Sequence, residues 1–332
     1  MTPSAQPQTS AVATPPLLER LDFVQEAIAA SSALRAAAEL GVLKRLDEEP
    51  VDPAALAIEL GIAERGARLL LAALAGLGLA EVTATGDYAA AVQGLGTMAF
   101  WLDQWSQLTA AVRTDLPVVR GDTPAGAEAL YPGAVDQLGL LFARAATGLA
   151  DQLAAPGIHV LDVGAGAAPW SLAVAARHAD TQVTALDLPG VLGNTRRAVK
   201  AAGLEPQFKY LPGDFFSVDL GRARYDLVIA GNVCHLFADR SIRALLARLF
   251  RALRPGGHLA VLEELPTEVM DGPRPVVLYA LGLLLRSGSG RVYPFSTYAG
   301  WLRDSGFEAI SRAEPEPSPL ISLITARRPE HE

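Results

Sequence analysis

After Gly157 the chain repeats one unit: a short apolar run, a loop opening on glycine or a carboxylate, then a helix-like stretch. "HVLDVGAG" leads into "PWSLAVAARH", "QVTALDLP" into "VLGNTRRAVKAAG", and "YDLVIAGNVCHLF" into "RSIRALLARLFRALRPGG"; "FKYLPGDFF" and "HLAVLEELP" are further apolar runs. Unalternated apolar runs separated by helices build a parallel sheet covered on both faces. Such sheets bind ligands beyond the carboxyl ends of their strands. The pattern therefore places the chemistry at 162–168, 187, 214, 231–237 and 263–264.

The segment before it reads differently. From Pro16 to about Glu49 apolar residues recur at helical spacing, predicting two helices. "VDPAALAIELGIAERGARLLLAALAGLGLAEV" adds a helix capped by Asp52 with Pro53 at its first position, a break at Gly61 and a longer second helix. "LAEVTATGDYAA" closes the unit as a hairpin around Thr85-Gly86-Asp87. Helix, turn, helix and hairpin describe a winged-helix module. Residues 16–90 carry a net charge of −6, the wrong sign for phosphate contacts, so a structural or dimerisation role is expected over DNA binding. Residues 92–156 are expected as a helical linker with pocket helices, and 157–332 as the sheet domain.

Composition narrows the partners. A net charge of −8 offers no general attraction to nucleic acid or anionic lipid, leaving small molecules or another protein chain. With Cys234 as the one cysteine, no intramolecular disulfide and no cysteine zinc cluster can form, and a reducing cytoplasm fits. The opening "MTPSAQPQTSAVATPP" lacks a signal-peptide pattern, and 1–15 are expected as a disordered tail. The apolar run at 275–285 falls short of the ~20 residues of a spanning helix and is expected as a buried helix. No metal-ligand set is visible.

In "DVGAGAAPW", Gly164 and Gly166 follow a strand directly and let a ligand approach the backbone. Pro169 stands where a dinucleotide fingerprint wants its third glycine, which argues against a nicotinamide dehydrogenase. Asp162 at the loop mouth would repel a pyrophosphate and suit a positively charged ligand. S-adenosylmethionine, with its sulfonium and ammonium groups and no phosphate, meets that requirement. Asp187, 25 residues after Asp162 and followed by Leu188, sits where an acid accepts ribose hydroxyls. Asp214 and Phe215 are placed to receive an adenine, and Asn232 completes the set.

The winged-helix start, "LDVGAGAA", "ALDLP", "PGDFF", "NVCHLF", "LRPGG" and "VLEELP" together resemble the class I, S-adenosylmethionine-dependent small-molecule O-methyltransferases of the caffeate/hydroxyindole type, including their bacterial natural-product branch. The resemblance implies an α/β fold: a Rossmann-like seven-stranded methyltransferase sheet whose antiparallel last strand is "SLITAR", preceded by an all-helical winged-helix dimerisation domain. It implies a homodimer, S-adenosyl-L-homocysteine as product, and an acceptor from secondary metabolism or antibiotic biosynthesis. It also implies His235 as the general base. Glu263, 28 residues on, corresponds best to the orienting acid, with Glu264 its close competitor. A neutral imidazole suits the removal of a phenolic proton.

Three positions depart from the family pattern. Ala168 replaces a loop glycine, Leu236 replaces the acid after the histidine, and the second orienting glutamate aligns with Thr297. The acceptor is expected among Trp101, Trp105, Phe142, Tyr279, Leu283 and Phe295, an apolar and aromatic set that implies an aromatic or polyketide-like molecule. Two other readings stay open: the same scaffold performing C-methylation or a pericyclic step, motivated by the lost acids, and a winged-helix regulator with a ligand domain.

Overall fold

A computed structural model describes residues 17–92, 94–313 and 321–331; the tail expected over 1–15 lies outside the described residues. The chain divides into two compact units between Asp103 and Gln104.

The first unit holds α1 (Leu17–Glu39), α2 (Val42–Leu46), α3 (Pro53–Leu60), α4 (Glu64–Gly76) and the antiparallel pair β1 (Ala80–Val82) and β2 (Tyr88–Ala90). It is therefore not all-helical; the hairpin read from "TGD" forms, with Gly86 at φ 90° in the left-handed region that a tight turn demands. Asp52 caps α3 by accepting from the N–H groups of Ala54 and Ala55, both at 2.9 Å. Its core gathers Leu43, Leu46, Leu56, Leu71 and Leu74, each at most 2% exposed. Burying each contributes about 1.5–3 kcal/mol.

The division falls inside α5 (Met98–Ser106), so 104–156 group with the sheet rather than forming a separate linker. Then come α6 (Leu108–Thr114), α7 (Pro124–Leu130) and α8 (Val135–Leu153). The sheet unit follows: β3 (His159–Val163), α9 (Pro169–Ala175), β4 (Gln182–Asp187), α10 (Leu192–Ala201), β5 (Phe208–Pro212), β6 (Tyr225–Gly231), α11 (Asp239–Ala252), β7 (Leu253–Glu264), α12 (Arg274–Leu283), α13 (Phe295–Asp304), β8 (Glu308–Ala313) and β9 (Ile321–Arg327).

The seven strands lie in the order β5-β4-β3-β6-β7-β9-β8, with β9 antiparallel to both neighbours. The expected antiparallel strand is thus β9. Successive residues go to opposite cores: Leu161, Val163, Val228 and Ala230 to one, Val160, Ala185, Leu227 and Ile229 to the other. That is why these strands read as unbroken apolar runs.

Two sequence expectations shift. Pro255 cannot continue a helix, so α11 stops at Ala252 and "LRPGG" enters β7, with Gly256 at φ 78°. The stretch 275–285 is not a wholly buried helix: α12 buries Val276 and Leu283 but leaves Leu278 47% exposed.

Strand order reverses between β3 and β6, and a crevice opens there at the carboxyl ends. That topology positions the site.

Candidate active site

The loop after β3 makes three left-handed residues: Gly164 (φ 67°), Gly166 (φ 56°) and Ala168 (φ 58°). A Cβ on Gly164 would stand 2.8 Å from Val233 Cγ2, so glycine is required for space as well as conformation. Ala168 holds the strained conformation while fully buried, so replacing the family's glycine costs backbone energy here rather than merely narrowing the loop. The Thr195 hydroxyl donates to Gly166 O at 2.6 Å and ties the loop to α10.

Four strand-end acids have different fates. Asp187 accepts from Gly166 N–H and Leu188 N–H, both at 2.7 Å, while burial pushes its carboxyl up to about 6. Asp214 accepts from Phe216 N–H at 2.9 Å, turning the chain so that Phe215 and Phe216 pack edgewise on Phe237. Asp162 is only 1% exposed and lies beneath the loop, not on the ligand cleft as its place in the sequence suggested. Its Oδ2 accepts from Ser171 Oγ at 2.5 Å, and burial pushes it up to about 7. Glu264 is pushed up to about 7, also chiefly by burial.

Asn232 continues β6 by donating its N–H to Leu262 O at 2.8 Å, then turns at φ 57°. Its Nδ2 lies 3.4 Å from each Glu264 oxygen, and its Oδ1 is buried with no partner. A buried acceptor without a donor is costly unless a ligand supplies one.

Some of these groups line a cleft of about 940 Å³, part of it open solvent. Gly164, Gly166, Asp187, Leu188, Asp214, Phe215, Asn232 and Phe142 all face it. Among the described residues no lysine, arginine or histidine lines it, so the cleft disfavours phosphates and accepts cations. Sequence reasoning missed Asp122, Tyr131 and Trp170 on its wall, while Phe237 falls within the stretch 231–237 that it singled out. Trp170 stacks on Phe142 with centroids 5.7 Å apart, and its indole N is 2.4 Å from where a Gly231 Cβ would be, which explains that glycine.

His235 sits in one tight turn, Cys234–Leu236, just after β6. Its Nδ1 is 2.6 Å from Glu263 Oε2, and Glu263 Oε1 accepts from Cys234 N–H at 2.7 Å and His235 N–H at 3.3 Å. The carboxylate thus fixes ring and backbone together. Histidine and glutamate are 4% and 1% exposed. Tyr279 OH lies 2.7 Å from Nε2. The donor atoms of His235, Glu263 and Glu264 lie within 4.8 Å of one another, but Glu263 serves the imidazole and Glu264 faces Asn232. Burial raises the Cys234 thiol well above its usual range, which removes it as a nucleophile.

The remaining expected acceptor contacts scatter. Trp105 packs where a Gly282 Cβ would sit, 3.1 Å away, and is 40% exposed. Leu283 is fully buried in the sheet core, Phe295 packs against the same core, and neither lines the cleft. Trp101 belongs to the first unit, edge-on to Phe100. Thr297 donates its N–H to Pro294 O on α13; the segment that abuts His235 is instead 287–291, where Arg291 N–H donates to His235 O at 2.8 Å and a Gly290 Cβ would be 2.7 Å from that oxygen. Thr297 carries no carboxylate, so position 297 supplies no second orienting acid.

A mostly parallel sheet with a strand-order reversal, a glycine loop, strand-end acids and a carboxylate-held histidine is an α/β architecture that binds a small molecule at its switch point. Residues 141–308 match the O-methyltransferase domain and residues 24–102 the O-methyltransferase dimerisation domain. The chain belongs to the O-methyltransferase family. Among curated relatives, it is 28% identical to acetylserotonin O-methyltransferase of Rattus norvegicus, covering 90% of this chain and 74% of that one. It is 29% identical to the tetracenomycin polyketide synthesis 8-O-methyl transferase TcmO of Streptomyces glaucescens, covering 84% and 88%. The solved structure of human N-acetylserotonin methyltransferase in complex with SAM shares the fold at a TM-score of 0.73 and 23% identity, covering 96% of this chain and 99% of that one.

Proposed function

We propose that this protein is an S-adenosylmethionine-dependent O-methyltransferase acting on a hydroxyl of an aromatic or polyketide-like small molecule. The observation that carries the reading is the Glu263–His235 pair one turn beyond the cleft residue Asn232. Relatives whose names include a polyketide and an acetylserotonin substrate support the acceptor class.

The cleft fits the cofactor's chemistry. The partnerless Asn232 Oδ1 offers an acceptor for an ammonium group, and Gly164 leaves space that a Cβ would close. Asp187, Asp214 and Phe215 all line the cleft, which supports assigning the first to ribose hydroxyls and the other two to the adenine. When bound, the cofactor supplies an electrophilic methyl group on a sulfonium. Glu263 holds Nδ1 protonated, leaving the Nε2 lone pair to take the acceptor's hydroxyl proton. The acids on the cleft favour the cationic cofactor over its neutral-sulfur product, S-adenosyl-L-homocysteine. The dimerisation domain supports a homodimer, and the single buried cysteine is compatible with a cytoplasmic location. Among the described residues no helix is long and apolar enough to cross a membrane.

A second reading, C-methylation or a cofactor-assisted cyclisation on the same scaffold, is favoured by one observation: His235 is not on the cleft wall. The deciding assay is S-adenosylhomocysteine formation with N-acetylserotonin, 2-naphthol and a hydroxyanthraquinone, comparing wild type with His235→Ala. Turnover that collapses in the variant while cofactor affinity is kept supports the base. Turnover that survives puts the second reading first.

A further inference from the structure

The Nε2 of His235 carries one in-plane lone pair, and a neutral imidazole accepts one good hydrogen bond there. Tyr279, on α12, already makes that bond at 2.7 Å. Its ring stands edge-on to the imidazole, centroids 5.2 Å apart at 85°, and the Arg286 guanidinium lies 4.7 Å from the tyrosine ring centroid. The tyrosine is therefore held at its hydroxyl by His235 and over its ring by Arg286.

Neither His235 nor Tyr279 lines the cleft, whereas Val233, Leu236 and Phe237, from the same loop as the histidine, do. Accepting the base role proposed above, an acceptor hydroxyl needs the position that Tyr279 holds. We propose that the Tyr279 hydroxyl is a placeholder for the acceptor's reacting hydroxyl, and that each acceptor must displace it from His235 Nε2 before its proton can be removed. A proton relay through the tyrosine is the competing role. Burial raises its phenol well above the usual range, which opposes any loss of its proton. The placeholder keeps the lone pair satisfied and water away from it while no acceptor is bound. It also makes part of each acceptor's binding energy the replacement of an existing hydrogen bond, so poorly fitting hydroxyls are rejected.

Tyr279→Phe tests this, because phenylalanine keeps the ring, its edge contact and its face toward Arg286 while removing the hydroxyl. For the best acceptor of the panel, the expected result is a KM roughly three- to tenfold lower, the span of one ordinary net hydrogen bond, with kcat unchanged or higher. The dissociation constant of 2-naphthol for enzyme loaded with S-adenosylhomocysteine should fall in the same proportion. A kcat at least tenfold lower with unchanged KM overturns the placeholder in favour of a relay. Unchanged KM and affinity overturn it in favour of a bystander, and a raised KM in favour of a direct contact to the acceptor. A thermal upshift on adding S-adenosylmethionine checks that the variant is folded. His235→Ala separates the two levels: if it still turns over, the base role itself falls; if it is inactive while Tyr279→Phe leaves KM unchanged, only the placeholder falls.

Discussion

Replacing Glu263 by glutamine is the most informative single change, because it alters proton positions with almost no change in volume. The carboxylate now accepts three hydrogens, from His235 Nδ1 at 2.6 Å, Cys234 N at 2.7 Å and His235 N at 3.3 Å. Glutamine has one oxygen, and the backbone groups of Cys234 and His235 can donate only to that oxygen. Its NH2 must then face Nδ1, which can meet a donor only by giving up its own proton. The ring is driven to the tautomer that carries hydrogen on Nε2, and the lone pair needed for the acceptor is lost. General-base catalysis contributes about 10²–10⁴ in rate, so kcat should fall by roughly that factor. The trade of a charged acceptor for a neutral one at Cys234 N costs about 1 kcal/mol of stability, which leaves the fold intact. S-adenosylhomocysteine formation at saturating acceptor gives kcat, and calorimetry with S-adenosylmethionine gives cofactor affinity, which should change little. A folded variant with kcat within about threefold of wild type, well short of that contribution, would refute the tautomer argument and the base role with it.

Without ligand, three buried carboxyls have raised values: Asp162 to about 7, Asp187 to about 6 and Glu264 to about 7, against ordinary values of 3.8 for aspartate and 4.5 for glutamate. Between those limits the folded chain binds more protons than the unfolded one, so stability should decline as pH rises from about 4 to 7 and level off above; urea melts across that range would find the reverse slope if the carboxyls were held ionised. Ala168→Gly relieves a left-handed alanine and should raise stability by up to about 1 kcal/mol, the strain of ~1–2 kcal/mol less the extra unfolded-state entropy of glycine; chemical denaturation would show a loss instead if Ala168 were unstrained. Gly164→Ala forces a Cβ toward Val233 Cγ2 at 2.8 Å beside the cofactor loop, and should weaken S-adenosylmethionine binding about tenfold or more, equivalent to ~1.4 kcal/mol, by calorimetry; unchanged affinity would separate that loop from the cofactor.

The strand–helix alternation, the Asp52 cap and the "TGD" hairpin were legible because each rests on local chemistry: unbroken apolar runs, a side-chain acceptor at a helix start, a glycine free to take positive φ. The glycine loop and the acids at 187 and 214 were legible because parallel strands bring their carboxyl ends together whatever their separation in sequence. Asp162 misled for a physical reason: two residues before Gly164 and still within β3, its side chain turns beneath the loop toward Ser171. The Tyr279 bond to His235 spans 44 residues and depends on how α12 packs, which no periodicity encodes. Tyr131 and Trp170 reach the cleft from a loop-like stretch and from a helix start, and an aromatic in such places looks the same in sequence whether it meets ligand or core. The contacts of 287–291 with His235 were likewise not legible, because they rest on a backbone bond from Arg291 and a close approach of Gly290 that sequence spacing does not encode.

Asn232 extends the β6–β7 ladder by one rung through Leu262 O, and three residues later Glu263, next on β7, clamps His235. The paired ends of β6 and β7 therefore act as a jig that sets the spacing between the proposed cofactor contact and the proposed base. Asp122, Tyr131 and Phe142 on the cleft wall come from α8 and the loops flanking α7, outside that jig. Variation in those parts can reshape the acceptor space without moving the reacting groups, so descendants of one such chain can diversify their substrates while inheriting an unchanged reaction.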